Sequence, residues 1–312
     1  MEPIVVTVVT GFLGAGKSTL MERWLGELAG ETAVIVNEWA EVGIDGSLLK
    51  GRAPRLYEIT GGCLCCSSQA ELHRALADVA TMDPAPARVL IETSGAASPA
   101  GVVRALVQGP ARERLRLDGI VTVVDGTRLE RTLAFDLAIE QLGFADVVVV
   151  SHAEALDERK AVEATVRSRA PAAVVTYASR GTLEGGLSLE GLLAKRDAAI
   201  HLPDATTPAH AAIDSVAMEH SGDLDEDRFL AWAEASLGEV EARILRIKGI
   251  LSIEGVPARV IVQGVGEAIE VKVGAPWREA PRRSRLVVLG LGLEPHALRA
   301  GFAACATRAT EH

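Results

Sequence analysis

The sequence predicts an α/β protein with a doubly wound, mostly parallel sheet, followed by a smaller α+β domain with an antiparallel sheet. Through the first two thirds of the chain, short β-branched runs alternate with helical patterns. Most of these runs are continuously apolar, as expected for parallel strands that are covered on both faces. In the last third, several such runs follow one another without a helix-length insertion, which is typical of antiparallel pairing.

The predicted strands of the first domain share this β-branched, apolar character. They lie at 4–9, 33–36, 56–59, 88–92, 120–124, 147–150 and 173–176. Between the first two, the stretch 17–28 places Leu20, Trp24, Leu25 and Leu28 on one helical face. We expect this domain to span residues 1–180.

Glycines and prolines interrupt the pattern over 181–208, which predicts a linker. The second domain then spans 209–312. Its first helix is predicted to open at 223–226, where Asp223 and Glu226 resemble a capping box. The other predicted elements are strands near 211–218, 243–253, 258–263, 268–273 and 285–290 and a closing helix over 295–307.

The composition narrows the possible partners. The formal net charge of -10 over 312 residues argues against nucleic-acid binding, which depends on Lys and Arg neutralising phosphates. No apolar run approaches transmembrane length, and the run at 4–9 lacks the flanks of a signal peptide. We therefore expect a cytoplasmic protein that binds no membrane and whose thiols stay reduced.

Residues 11–18 fit the phosphate-binding pattern G-x-x-x-x-G-K-[ST] between a buried strand and an amphipathic helix. Backbone N–H groups of such a loop point at phosphates, Lys17 would bridge the β- and γ-phosphates, and Ser18 would ligate Mg²⁺. This is the signature of a P-loop NTPase. The predicted phosphate contacts are Gly11, Gly14, Ala15, Gly16, Lys17, Ser18 and Thr19.

A strand-end carboxylate is needed to hold the magnesium shell, and Glu92 stands at that place in Glu92-Thr93-Ser94-Gly95. Gly95 could approach the γ-phosphate and sense its loss through its backbone N–H. The alternative is an ordinary strand-end turn. Asp125 is a second strand-end carboxylate, for which a structural and a magnesium role remain equally open.

Three of the four cysteines lie within four residues, at Cys63, Cys65 and Cys66, on a glycine-flanked loop. Their thiolates would repel one another without a cation, and Zn²⁺ is the default soft-ligand ion. Simple packing of buried cysteines is the alternative. The acidic segment 37–45 follows the second strand, where P-loop switches place a loop that responds to the γ-phosphate. Its carboxylates could ligate a metal, position magnesium or orient the attacking water. The alternative is that they are only solvated at the surface.

The segments GFLGAGKS, NEWAEVGID, GGCLCC and ETSG resemble those of the CobW-like metal-chaperone GTPases, relatives of the urease and hydrogenase nickel-insertion GTPases. The resemblance runs nearly the full length. The stretch Arg246-Ile247-Lys248-Gly249, the region of Trp277 and the helix ending at Cys305 are similar to the C-terminal domain of that family.

The resemblance implies hydrolysis of GTP with Mg²⁺, coupled to holding Zn²⁺ or Co²⁺ and releasing it to a client metalloprotein or cofactor-biosynthesis enzyme. A nucleotide-dependent homodimer is a further implied partner. The implied metal ligands come from Cys63, Cys65 and Cys66, with Glu38 as an additional candidate. Asp45 matches the last acidic position of the switch segment and would organise magnesium or water, so the implied catalytic residues are Lys17, Asp45 and Glu92.

One motif departs from the family pattern. Where members carry Asn-Lys-x-Asp to read guanine, this chain has Ser151-His152-Ala153-Glu154. Glu154 can still accept the two guanine hydrogen bonds from one methylene further out, and His152 can stack on the base. We expect a preference for GTP over ATP that is weaker than in other members.

Two competing functions remain. A nucleotide-dependent interaction switch with relaxed base specificity and no metal cargo would explain the altered base motif but leaves the cysteines without a role. A small-molecule P-loop kinase would need an acceptor pocket and an Arg-bearing lid, for which residues 95–180 offer no candidate. With no arginine finger evident in the sequence, unassisted turnover should be roughly one per minute or slower.

Overall fold

The fold is taken from a computed structural model that describes residues 3–28, 32–38, 55–60, 67–195, 214–238, 244–265, 268–290 and 292–307. The chain divides into two compact units, Met1–Ala199 and Ile200–His312. In the described parts of the chain, no helix is both long and apolar enough to cross a membrane.

The first unit is built on one sheet whose strands alternate with helices. Its strands are β1 Ile4–Thr10, β2 Thr32–Glu38, β3 Arg55–Thr60, β4 Arg88–Glu92, β5 Leu115–Asp125, β6 Val147–Ser151, β7 Val174–Ser179 and β8 Thr182–Leu183. They lie in the order β3-β2-β4-β1-β5-β6-β7-β8, and only the pairing of β7 with β8 is antiparallel. The predicted doubly wound, mostly parallel sheet is confirmed.

Helices pack on this sheet with their apolar faces inward, because burial removes apolar surface from water. They are α1 Lys17–Glu27, α2 Ser67–Ala80, α3 Ala100–Gln108, α4 Leu129–Thr132, α5 Asp136–Gly143, α6 Arg159–Arg169 and α7 Leu189–Lys195. Leu20 and Trp24 of α1 are almost fully buried against the central strands, as the periodicity predicts, while Leu25 and Leu28 are only partly buried. Met21, outside the predicted face, is also fully buried.

Helix α7 lies inside the stretch 181–208 that the sequence suggests is a linker. Leu189, Leu192 and Leu193 of α7 are buried in the same core as α1. Strand β8 also belongs to the first sheet. The sequence pattern does not predict this helix, because seven residues give only two turns of apolar periodicity and glycines surround them. We propose that the first domain extends to at least residue 195.

The second unit is an antiparallel sheet packed on helices. Its strands are β9 Asp214–Ser221, β10 Ile244–Leu251, β11 Ala258–Val265, β12 Ala268–Pro276 and β13 Arg283–Gly290, in the order β12-β11-β10-β13-β9. Helices α8 Glu226–Ala233 and α9 Pro295–Ala304 complete it. Phe229 and Trp232 of α8 pack against Phe302 of α9, with ring centroids 6.3 and 5.5 Å apart. The predicted α+β domain is confirmed.

The predicted capping box at the start of α8 is wrong in one detail. Asp225 is the N-cap, and its Oδ1 accepts a 2.9 Å hydrogen bond from the backbone N–H of Arg228. The Asp223 carboxylate instead accepts hydrogen bonds from Ser252 Oγ and from the Arg282 guanidinium. The Asp223 side chain, which local spacing assigns to the helix cap, is therefore used in a tertiary ion pair with Arg282 instead.

Candidate functional site

The segments that follow β1, β4, β5 and β6 meet at one edge of the first sheet. These four strands are parallel neighbours, and their carboxyl ends therefore lie side by side. In doubly wound sheets this edge is where ligands bind.

The phosphate loop after β1 has backbone conformations that depend on glycine. Gly14 and Gly16 have φ of 75° and 93°, and Gly16 caps the first turn of α1. A Cβ on Gly11 would lie 2.1 Å from the carbonyl oxygen of Val123 on β5, so only glycine fits there. The loop is thus held tightly against the end of β5, with the N-terminus of α1 at its centre.

Ser18 and Glu92 meet as the sequence predicts. The Ser18 Oγ donates a 2.8 Å hydrogen bond to Glu92 Oε1, and the Glu92 side chain is buried. Lys17 is also mostly buried, and its Nζ donates a 3.4 Å hydrogen bond to the carbonyl of Phe12 in the same loop. A hydroxyl and a carboxylate at this distance form the hard oxygen donor set that Mg²⁺ prefers, so these residues fit a magnesium ion.

Gly95 lies directly against the phosphate loop. A Cβ at Gly95 would come within 2.8 Å of the backbone nitrogen of Leu13 and within 2.9 Å of its Cα. The backbone N–H of Thr93 donates to the carbonyl of Val9, which fixes the loop after β4 to the end of β1. The close approach explains the glycine and brings Gly95 beside the loop that would bind the phosphates.

Ser151 braces the phosphate loop. Its Oγ lies 2.8 Å from the carbonyl of Ala15 and 3.2 Å from that of Val124, positioned to donate a hydrogen bond to either. The sequence predicts Ser151 as a nucleotide contact, and the structure places its hydroxyl between the carbonyls of Ala15 in the loop and Val124 on β5. Because the bond joins the end of β6 to the loop, Ser151 holds the two segments in register.

A cleft with about 440 Å³ of empty space opens beside α1 where the base motif was predicted. His152 and Glu154 line it, and His152 has a left-handed backbone with φ of 55°. The pKa of Glu154 is lowered, chiefly by a hydrogen bond from its own backbone N–H. Ser179, His152 and Arg180 lower the pKa further, while some loss of hydration opposes the shift. The Glu154 carboxylate is therefore ionised at neutral pH and available to accept hydrogen bonds.

Asp125 binds its own turn. Its Oδ1 accepts hydrogen bonds from the backbone N–H and the hydroxyl of Thr127, at 2.9 and 2.6 Å. The Nδ1 of His152 lies 3.5 Å from the same oxygen. Between the two roles that the sequence leaves open, these contacts favour the structural one.

The cleft includes two residues that the sequence did not indicate. Arg180 and Gly181 follow β7 and line the same cleft as the base motif. A Cβ on Gly181 would lie 2.8 Å from the carbonyl of Thr19 on α1, which explains the glycine. The available signal was positional, since β7 is the next parallel strand after β6 and its carboxyl end must reach the same edge.

Arg159 ties the base motif to the turn after β8. Its guanidinium donates to both carboxylate oxygens of Glu184, at 2.7 and 2.9 Å, and to the carbonyl of Ala153 at 2.9 Å. It also lies over the ring of Tyr177, 5.1 Å from the centroid. The bidentate pair, together with the bond to Ala153, therefore fixes the base motif to the turn after β8.

The predicted metal-binding residues are only partly within the described chain. Cys63, Cys65, Cys66 and Asp45 lie outside the described residues, as does the side chain of Glu38. The backbone of Glu38 ends β2, and β2 pairs in parallel with β3 and β4. Within the described ranges, no three His, Cys, Asp or Glu side chains cluster in a way that would hold a metal ion.

Comparison with known proteins identifies both units. Residues 5–176 match the family described as CobW/HypB/UreG, nucleotide-binding domain, and residues 213–306 match the cobalamin synthesis protein cobW C-terminal domain. The chain belongs to the CobW/HypB/UreG family. The resemblance drawn from the four sequence segments is confirmed.

Individual members of the CobW/HypB/UreG family resemble the chain over nearly its whole length. The zinc chaperone YjiA of Escherichia coli strain K12 is 33% identical over 97% of this chain and 99% of its own. The zinc chaperone CobW of Pseudomonas aeruginosa is 34% identical over 94% and 89%.

Solved structures agree with these sequence matches. A crystal structure of Zn(II)-bound YjiA GTPase from E. coli superposes with a TM-score of 0.69 at 26% identity, covering 98% of this chain and all of the other. A Zn(II)-bound triple mutant of YjiA, in which one glutamate and two cysteines are replaced by alanine, gives 0.71 at 25% identity, again over 98% of this chain and all of the other.

Proposed function

We propose that this CobW/HypB/UreG protein is a magnesium-dependent GTPase that holds Zn²⁺ on its cysteine loop and releases it to a client when GTP is hydrolysed. The observation that carries the proposal is the Ser18–Glu92 hydrogen bond at the phosphate loop, in a chain one third identical to a zinc chaperone.

The phosphate end supplies the chemistry of hydrolysis through positioning and charge. Lys17 and the loop N–H groups would hold the β- and γ-phosphates, and Ser18 and Glu92 would hold Mg²⁺, which neutralises developing charge when bound. Gly95 would donate its N–H to the γ-phosphate, and Asp45 would orient the attacking water. Turnover without a partner should be roughly one per minute or slower.

The cleft supports guanine as the preferred base. An ionised Glu154 can accept hydrogen bonds from guanine N1–H and its exocyclic amine, both of which donate. Adenine offers an acceptor at N1, which the carboxylate repels. His152 and Arg180 both line the same cleft and can pack against the base.

The proposal that the chain binds Zn²⁺ is supported by its sequence and by the named relatives. Cys63, Cys65 and Cys66, with Glu38 as a further candidate, offer thiolate and carboxylate ligands that suit Zn²⁺, with Co²⁺ as the alternative ion. Because β1, β2, β3 and β4 belong to one parallel sheet, the segments after their carboxyl ends start at one edge. That arrangement would let the γ-phosphate influence the metal ligands.

The test is a Zn²⁺ titration of the purified protein with Mg²⁺ and either GDP or a non-hydrolysable GTP analogue. We expect Zn²⁺ affinity at least tenfold higher with the analogue, and we expect Cys65→Ala to abolish the difference. Cys305→Ala is the matched control, because Cys305 is buried in the second unit and burial raises the pKa of its thiol. Affinity that ignores the nucleotide would contradict the proposal.

One observation favours a second function, an interaction switch without metal cargo. Ser151 stands where the family motif has Asn, and its hydroxyl bonds the carbonyl of Ala15 in the phosphate loop. The residues that would contact the base therefore differ from the family motif in this chain. A switch would bind nucleotide in the same titration but show the same weak Zn²⁺ affinity with GDP, with the analogue and in Cys65→Ala.

A further inference from the structure

Helix α5 holds the loop that follows β4 through two side chains. Gln141 is 1% exposed, and its Nε2 donates hydrogen bonds to the carbonyls of Ala97 at 3.0 Å and Gly95 at 3.4 Å. One residue earlier, Glu140 Oε1 accepts a 2.5 Å hydrogen bond from Ser98 Oγ. Both contacts converge on residues 95–98, the loop that contains the expected γ-phosphate sensor.

Burial alone does not explain a glutamine at this position. The Gln141 Oε1 is buried and accepts no hydrogen bond from the described residues. A buried acceptor without a partner costs free energy, whereas Met or Leu would fill the space without that cost. The amide is therefore retained for its two donor hydrogens, which both point at the loop.

The loop needs such an anchor because Gly95 must be glycine. Its closeness to Leu13 excludes a side chain, and glycine has more backbone freedom than any other residue. A free Gly95 would sample orientations in which its N–H does not point at the phosphate. The hydrogen bond from Gln141 to its carbonyl restricts that freedom.

Gln141 is itself fixed to the sheet. The Thr122 hydroxyl on β5 donates a 2.9 Å hydrogen bond to the backbone carbonyl of Gln141, and both residues are buried. The contacts therefore run from β5 through Gln141 to Gly95 and on to the phosphate loop at Leu13. Gly95 is therefore connected to β5 through the Gln141 side chain and backbone.

We propose that Gln141 is a positioning residue for GTP hydrolysis, which sets the backbone of Gly95 so that its N–H meets the γ-phosphate. The inference rests on the proposed function, since it takes Gly95 as the γ-phosphate contact. It adds that discrimination between GTP and GDP depends on a side chain that touches neither nucleotide.

The test variant is Gln141→Met, which keeps the length of the side chain and removes its donors. We expect GDP affinity within twofold of the unchanged protein, affinity for a non-hydrolysable GTP analogue about tenfold weaker, and kcat about tenfold lower. The control is Ser252→Ala, which removes a buried side chain's hydrogen bond to Asp223 in the second unit and touches no part of the loop after β4. It should lower the melting temperature without changing the analogue-to-GDP affinity ratio.

The outcomes separate the possibilities. Equal weakening of GDP and the analogue by Gln141→Met, or the same affinity ratio in both variants, would overturn the inference and make Gln141 a packing residue. Gln141→Asn keeps the amide but shortens its reach, and it should show the same selective loss if the methionine variant does not fold. Failure of the proposed function is a different result, in which the unchanged protein binds Zn²⁺ equally with either nucleotide.

Discussion

The hydroxyl of Ser18 donates a 2.8 Å hydrogen bond to the carboxylate of Glu92, although 74 residues separate them in the chain. The sheet brings them together, because β1 pairs in parallel with β4 and Val9 lies opposite Glu92. Ser18 lies in the first turn of α1, just beyond the loop that follows β1, and Glu92 ends β4. The strand register thus places a hydroxyl and a carboxylate where a magnesium ion on bound nucleotide would sit.

Glu92→Gln should separate nucleotide binding from magnesium use. The amide oxygen of glutamine can still accept from Ser18, so the local contact survives while the negative charge is lost. We expect Mg²⁺-dependent GTP hydrolysis to fall on the order of 100-fold, as when one stabilising group is removed from an active site. GDP binding measured in EDTA should change little. Unchanged turnover across a Mg²⁺ titration would show that Glu92 is only a strand-end residue.

Ser151→Ala should weaken nucleotide binding without changing the choice of base. It removes the hydrogen bond that steadies Ala15 in the phosphate loop, worth about 1 kcal/mol or roughly fivefold in affinity. Because every nucleotide uses that loop, GTP and ATP should lose affinity together. Competition binding checks this, and a selective loss of GTP alone would mean that Ser151 contacts the base.

Glu154→Gln should change the base preference. Because a charge-assisted hydrogen bond to guanine is lost, GTP should lose roughly tenfold or more in affinity while ATP does not. Direct competition of GTP against ATP gives the ratio. Equal affinity of the two in the unchanged protein would refute guanine selection by Glu154.

The lowered pKa of Glu154 makes a pH prediction with a definite sign. Its ordinary value is 4.5, and hydrogen bonding to its own backbone N–H and to Ser179, with His152 and Arg180 nearby, holds it below that. The charged form is favoured in the folded protein, so guanine selectivity should stay constant from pH 8 to pH 5. It should be lost only as the pH falls through the lowered pKa. A midpoint near pH 6 or above would assign the selectivity to a histidine.

Arg159→Met should loosen the base motif while leaving the fold intact. Arg159 and Glu184 are each partly exposed, so their pair adds little to stability, and the melting temperature should fall by no more than about 4 °C. GTP dissociation should accelerate several-fold, because the arginine also holds Ala153 of the base motif. Arg167→Met is the matched control on the same helix, since Arg167 pairs with Glu163 of that helix, whereas Arg159 bonds Ala153.

Local patterns were enough to predict the phosphate end of the site. A buried strand, a glycine loop and Lys17-Ser18 lie within 20 residues, and each has a strong local signature. The end of a buried strand at Glu92 was also predictable from the local pattern, and the magnesium role of that carboxylate stays a prediction. The capping box failed where a distant partner intervened, since the Asp223 carboxylate binds Arg282.

The other parts of the site depend on tertiary contacts. Arg180 lines the cleft only because β7 lies next to β6, and Gln141 reaches Gly95 only because α5 packs over that loop. Neither residue belongs to a motif, so spacing along the chain gives no signal for them. For Cys63, Cys65 and Cys66, the clustering of thiols in the sequence remains the whole argument.

The central claim is that nucleotide hydrolysis controls metal release, and a single-turnover experiment tests it most directly. The protein is loaded with Zn²⁺, Mg²⁺ and GTP, and free Zn²⁺ and phosphate are followed together with a zinc chelator dye and a phosphate sensor. We predict that Zn²⁺ appears at the rate of phosphate formation and that Glu92→Gln slows both equally. Zn²⁺ that stays bound after GTP is consumed, or that leaves at the same rate with a non-hydrolysable analogue, would contradict the account.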